Sequence, residues 1–133
     1  MTHEEFVALL PDNQRQFSSE LIHELSKIPE ISVYHTDTNA GDLRVRVGND
    51  GRVLFTMYWQ SRNEAYFCRC FVETQYLAAQ DGLFDISLEP EYQQQISSFK
   101  FKPNYVNTIS VLTGLIQETV KRYHFLNQHK ATQ

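Results

Sequence analysis

The amino-acid sequence predicts an α+β fold: N-terminal helices, an antiparallel four- to five-stranded β-meander, and a long C-terminal helix packed on one face. Three observations predict it. Apolar residues recur every three or four positions before Pro29 and after Asn107, but every two positions between Ile31 and Glu73. Asn49-Asp50-Gly51 lies between two alternating segments, which is a hairpin signal. The meander so defined has one almost wholly apolar face, a natural bed for helices.

The elements follow in order. Thr2 and Glu5 have the spacing of a capping box before Phe6, Val7, Leu9 and Leu10. Pro11 interrupts that run, and Asp12 is placed to cap a second helix. Phe17, Leu21, Leu25 and Ile28 gather into one stripe there, and Pro29 stops it. Strands are expected at 31–36, 42–47, 52–60 and 65–73. A three-residue turn with Gly51 left-handed in a bulge pairs Val47 with Val53, Val45 with Phe55 and Leu43 with Met57. The turn at Ser61-Arg62-Asn63-Glu64 then pairs Trp59 with Tyr66, Met57 with Cys68, Phe55 with Cys70 and Val53 with Val72. A five-residue loop, Asp37 to Gly41, brings Ile31, Val33 and His35 onto the same apolar face.

Beyond Glu73 the pattern is mixed. Residues 74–80 suit a short helix, 83–88 a fifth strand, and Pro90 the first turn of a helix through Ser97. Phe99 to Lys102 alternates again. Asn107 is placed to cap the last helix, where Ile109, Leu112, Leu115, Ile116, Val120 and Tyr123 form the stripe, with a frayed end after Asn127. The length suits one domain, 1–133.

Composition narrows function. Hydrophobic residues are 41% and charged residues 21% of the chain, so a packed core is expected. The net charge of −4 disfavours a strongly basic nucleic-acid binder, while leaving room for a local basic patch. No long apolar run, signal or lipidation box is present, so the expected setting is a reducing cytoplasm with no membrane partner. Cys68 and Cys70 are two apart on one strand face and read as buried, unreactive thiols.

No catalytic or metal constellation stands out, and no cofactor is expected. The five histidines lack metal-ligand spacing. Asp37 to Asp42 begins like a calcium loop, but its glycine is one position early and residue 48 is Gly rather than a bidentate acid. A metal-dependent nuclease would need a lysine beside its carboxylates, and residues 31–73 contain none. No phosphate loop or nucleophile motif occurs.

The second face of the meander is the informative surface. The register lines up Tyr34, Arg44, Thr56 and Arg69 in one row; Ser32, Arg46, Leu54 and Phe71 in the next; and Thr36, Asp42, Tyr58 and Phe67 in a third. The binding set read from these rows is Tyr34, Arg44, Arg46, Leu54, Tyr58, Phe67, Arg69 and Phe71. Arginine with aromatics is the composition of protein interfaces. So large an apolar patch is rarely left wet. Its cover is the chain's own segment 74–106, another protein or subunit, or an anion. In make-up and element order the chain resembles small acidic secretion chaperones, whose helices surround a curved antiparallel sheet with a dimer seam. That likeness is one of composition, carried by no motif. The reading is a non-enzymatic protein-binding or adaptor domain, chaperone-like and expected to form a homodimer. The alternative is an anionic-ligand or nucleic-acid binder using Arg44, Arg46 and Arg69, and an enzyme comes third.

Overall fold

The computed structural model describes residues 1–48, 51–72, 85–88, 97–102 and 108–131. Its class is α+β. Helix α1 spans His3–Leu9 and α2 spans Asp12–Leu25. Strands β1 (Ile31–Thr36), β2 (Asp42–Val47), β3 (Val53–Gln60), β4 (Ala65–Cys70), β5 (Asp85–Leu88) and β6 (Ser97–Phe101) follow, and α3 (Thr108–Ala131) ends the chain. The sheet is antiparallel with order β1-β2-β3-β4-β6-β5.

Local chemistry explains the boundaries. The Thr2 hydroxyl accepts the Glu5 N–H, and Glu5 accepts the Thr2 N–H, so the capping box closes as expected. Asp12 is not a cap. Pro11 occupies that position without a side-chain bond, and Asp12 instead pairs with Arg15 one turn on. Glu30, φ 75°, turns the chain into β1 after Pro29. A short 3₁₀ turn, Thr38–Ala40, joins β1 to β2.

The core lies between one sheet face and the three helices. Leu43, Val45, Phe55, Met57, Tyr66, Cys68, Cys70, Phe99 and Phe101 meet Phe6, Leu21, Leu25, Leu112, Leu115 and Ile116 there. Each of these side chains contributes about 1.5–3 kcal/mol on full burial. The Tyr66 hydroxyl is buried but partnered by Ser18 at 3.1 Å, and burial raises its pKa to about 12. Cys68 and Cys70 are free, buried thiols. Burial pushes Cys68 well up, and pushes Cys70 up to about 12 despite its contact with the Thr119 hydroxyl at 3.1 Å.

The strand register agrees with expectation from His35–Leu43–Met57–Cys68 through Val45–Phe55–Cys70. It then departs. Arg46 faces Val53, not Leu54, so Leu54 is an extra residue on β3. Gly51 is not the left-handed glycine. Gly48 is, at φ 63°, while Gly51 donates its N–H to Val47 O at 3.1 Å. A Cβ on Gly51 would stand 2.2 Å from that oxygen, so close backbone approach is what requires glycine. β4 ends at Cys70 instead of 73, with Phe71 N–H donating to Leu54 O across the bulge.

Other expectations shift too. Phe99 and Phe101 belong to a sixth strand, which the four- to five-strand count left out. Ser97, expected to end a helix from Pro90, begins that strand; the rest of that helix, residues 74–80 and the Asn107 cap lie outside the described residues. The C-terminal helix does not fray at Asn127 but stays helical through Ala131.

Candidate functional site

The sheet face away from the main core carries a groove of about 470 Å³, bordered among others by Thr38, Asp42, Arg44, Thr56, Tyr58 and Arg69. Strand alternation brings these residues up from β2, β3 and β4. Arg44, Thr56 and Arg69 are direct cross-strand neighbours. Tyr58 and Phe67 are neighbours in the next row, their rings 5.3 Å apart and tilted by 42°. Phe67 is in turn opposite Lys100.

Asp42 organises the cationic side. Its carboxylate is fully buried. Oδ1 accepts the Thr36 backbone N–H at 3.1 Å and the Thr36 hydroxyl at 2.8 Å. Oδ2 accepts Arg44 Nε–H at 3.0 Å. Three donors satisfy a charge that would otherwise be costly to bury. Arg44, which lines the groove, is thereby held through Nε on one edge of its guanidinium.

Behind Asp42 lies a histidine pair. His35 Nδ1–H donates to Asp42 O at 3.1 Å, and His35 stacks on Phe6 with centroids 4.4 Å apart. The carbonyl can only accept, so the other nitrogen of neutral His35 accepts from His3 Nδ1–H at 2.6 Å. Burial, foremost, and the neighbouring His3 hold the His35 pKa below its ordinary value. The pair ties α1 to β1 on the core side, away from the groove.

The eight expected site residues divide into two groups. Tyr34, Arg44, Arg46, Tyr58, Phe67 and Arg69 are partly exposed. Arg46 lies over the Tyr34 ring at 4.4 Å. Leu54 and Phe71 are not an exposed patch. They are 1% and 4% exposed and pack with Val120, Tyr123 and Leu126 of α3 and with Ile31 and Val47. Two cations flank the Phe71 ring, Arg52 at 4.4 Å and Arg122 at 5.1 Å. Leu54 and Phe71 also border the groove. The bulge is the cause: consecutive Leu54 and Phe55 are both buried, which strict alternation forbids. Among the described residues their cover is α3; the described parts of segment 74–106 extend the sheet edge as β5 and β6.

No family model matches the chain, and neither a curated protein nor a solved structure does. Function must therefore be argued from the groove.

Among the described residues, no group of three or more His, Cys, Asp or Glu converges to hold a metal, and no helix is long and apolar enough to cross a membrane. Asp42, the carboxylate described in the groove lining, is committed to Arg44 and Thr36. Such an arrangement suits holding an anionic group more than moving a proton. Asp42 as the anchor of Arg44 was the feature least visible in the sequence. Its signal is Asp42 and Arg44 two apart on one strand face, with Thr36 opposite. A second hollow, about 610 Å³ between α2 and α3, is bordered by Glu20, His23 and Glu24, all solvated, with Glu24 paired to Lys27 at 3.0 Å.

Proposed function

We propose that this chain is a non-enzymatic, cytoplasmic binding domain that engages a partner protein through the groove on the open face of its sheet. The observation that carries this reading is the pairing of a pre-oriented arginine with an aromatic platform. Arg44 is fixed by a buried carboxylate, and one row away Tyr58 and Phe67 offer ring area. Arginine and tyrosine are the residue types that dominate interface energetics. A groove of about 470 Å³ holds a few side chains of a partner, enough for a hot spot.

A different protein suits the groove better than a second copy. A twofold axis through this face would gather Arg44, Arg46 and Arg69 of both copies into one interface, and like charges brought together there are costly. A long nucleic acid suits it less, because the chain as a whole carries −4. The test is site-specific photocrosslinking in the cells that make the protein. A benzophenone side chain at Tyr58 should capture a discrete protein. The same group at exposed Leu9 or Phe125, on the helices, should not. Equal capture at all three positions, or capture of nucleic acid at Tyr58 alone, overturns the reading.

A further inference from the structure

We infer that the groove selects an extended acidic segment in which an Asp or Glu is followed two positions later by an aromatic or large aliphatic residue. This rests on the protein-binding reading above and names what is recognised.

Three features on the face lead there. The first is charge. Arg44, Arg46 and Arg69 occupy this face in a chain whose net charge is −4, while Asp42 beside them is buried and bonded and Lys100 stands opposite Asp85 at the β5 edge. Positive charge is concentrated where the rest of the surface is negative, and an acidic segment is its complement. The second is preorganisation. Asp42 is locked by two bonds from Thr36 and holds Arg44 by Nε. A guanidinium held on one edge loses less freedom when its other edge forks onto a carboxylate. Arg44 and Arg69 flank Thr56 from the two adjacent strands, so an oxyanion above the Thr56 hydroxyl lies between two positive charges and beside the held Arg44 guanidinium.

The third is spacing. Thr56 and Tyr58 are two residues apart on β3, and Arg69 and Phe67 repeat that step on β4. The cationic and aromatic rows therefore lie about 6.7 Å apart. In an extended peptide running along the strands, side chains on one side are spaced by the same distance. A carboxylate over Thr56 thus places the side chain two positions along over Tyr58 and Phe67. The side chain between them points away and is free to vary.

The test is a random dodecapeptide phage library panned on the full chain. Acidic-x-aromatic or acidic-x-aliphatic sequences should be enriched. A synthetic hit, read by fluorescence anisotropy, should bind about tenfold or more weakly to Arg44→Gln. Removing Arg44 leaves Asp42 buried with one donor fewer, so Thr56→Asp serves as the second variant. It removes no partner of a buried group and sets a carboxylate between the arginines. It should weaken binding to a similar degree while circular dichroism and the urea midpoint show the fold retained. Enriched peptides without an acidic residue, lost on Tyr58→Ala, would overturn the acidic segment and leave the protein-binding reading standing. Peptides that bind wild type, Thr56→Asp and Tyr58→Ala equally would overturn both. No enrichment at all would overturn the inference, while the crosslinking test would still decide the broader reading.

Discussion

Leu54 and Tyr58 lie on the same strand, β3, and strict alternation would point them to the same side. They end in different places. Leu54 is 1% exposed among Val120, Ile31 and Val47, while Tyr58 stays partly exposed against Phe67. One inserted residue separates these outcomes. The register changes between the Val45–Phe55 and Arg46–Val53 pairs, and Leu54, the extra residue, packs against α3. A bulge thus seats Leu54 and Phe71 in a small cluster under α3, at the apolar part of a groove whose other lining includes Arg44, Arg69, Thr56 and Tyr58.

The sharpest way to break this comparison is to truncate both residues. Leu54→Ala should cost about 3 kcal/mol, the usual range for a buried leucine, read as a lower urea midpoint with unchanged slope. The same loss should appear in thiol labelling. Cys68 and Cys70 are buried, so a thiol reagent reaches them only through opening of the fold. If that opening is global, about 3 kcal/mol makes it roughly a hundredfold more frequent, and labelling should quicken in proportion. Unchanged labelling would mean that the cysteines are reached by a local route that leaves α3 in place.

The turn that precedes the bulge gives the next largest effect. Gly51→Ala should destabilise by about 1–3 kcal/mol, because its Cβ would press on Val47 O at 2.2 Å and the hairpin must shift. If that shift also carries the bulge, Leu54 loses its place under α3, and the two substitutions together should cost less than the sum of each alone. Strict additivity would separate the turn from the bulge.

A third effect belongs to the core side. His35 is held below its ordinary pKa of 6.5 by burial and by His3. The fold therefore favours the neutral imidazole, and the unfolded chain binds more protons over the window below 6.5. Stability from this site is complete above that pH and is lost as pH falls through the lowered value. His35→Asn keeps a donor for Asp42 O but cannot titrate. Its urea midpoint should change less between pH 7 and 5 than that of wild type, and an identical slope would assign the loss to other groups.

Much of this architecture was legible in the sequence, for identifiable reasons. Period-two apolar patterning set the central register, since a one-residue slip would have turned Leu43, Val45 and Met57 to solvent. The capping box and the α3 stripe are local signals, and both survive in the structure. Arg44, Thr56, Arg69, Tyr58 and Phe67 were placed correctly because they lie where alternation holds. The bulge was misplaced, because Gly51 looked like the left-handed residue that Gly48 is. Leu54 and Phe71 were assigned outward for that reason. The sixth strand was missed because Ser97–Phe101 is short and pairs with β4 across a long stretch of sequence, a contact no local pattern reports. Asp42 stands in its expected row, but its role as anchor rests on three donors that no local pattern brings together.

The smallest stability effect completes the comparison and decides most about function. Tyr58→Ala removes a tilted ring pair with Phe67 and a weak contact in which Gln60 donates to the Tyr58 hydroxyl at 3.3 Å. A partly exposed aromatic pair is worth about 0.5–1.5 kcal/mol beyond its buried area, so the cost should be near 1 kcal/mol, well below that of Leu54→Ala. A surface kept for a ligand should show this disproportion: little loss of stability and a large loss of binding. Urea midpoints and peptide anisotropy measured on the same preparations give both numbers. If Tyr58→Ala were instead as destabilising as Leu54→Ala, the ring would be part of the protein's own packing, and the contrast between the two ends of β3 would collapse. If it cost little and binding were untouched, the aromatic row would be bystander surface, and recognition would fall to Arg44 and its buried anchor alone.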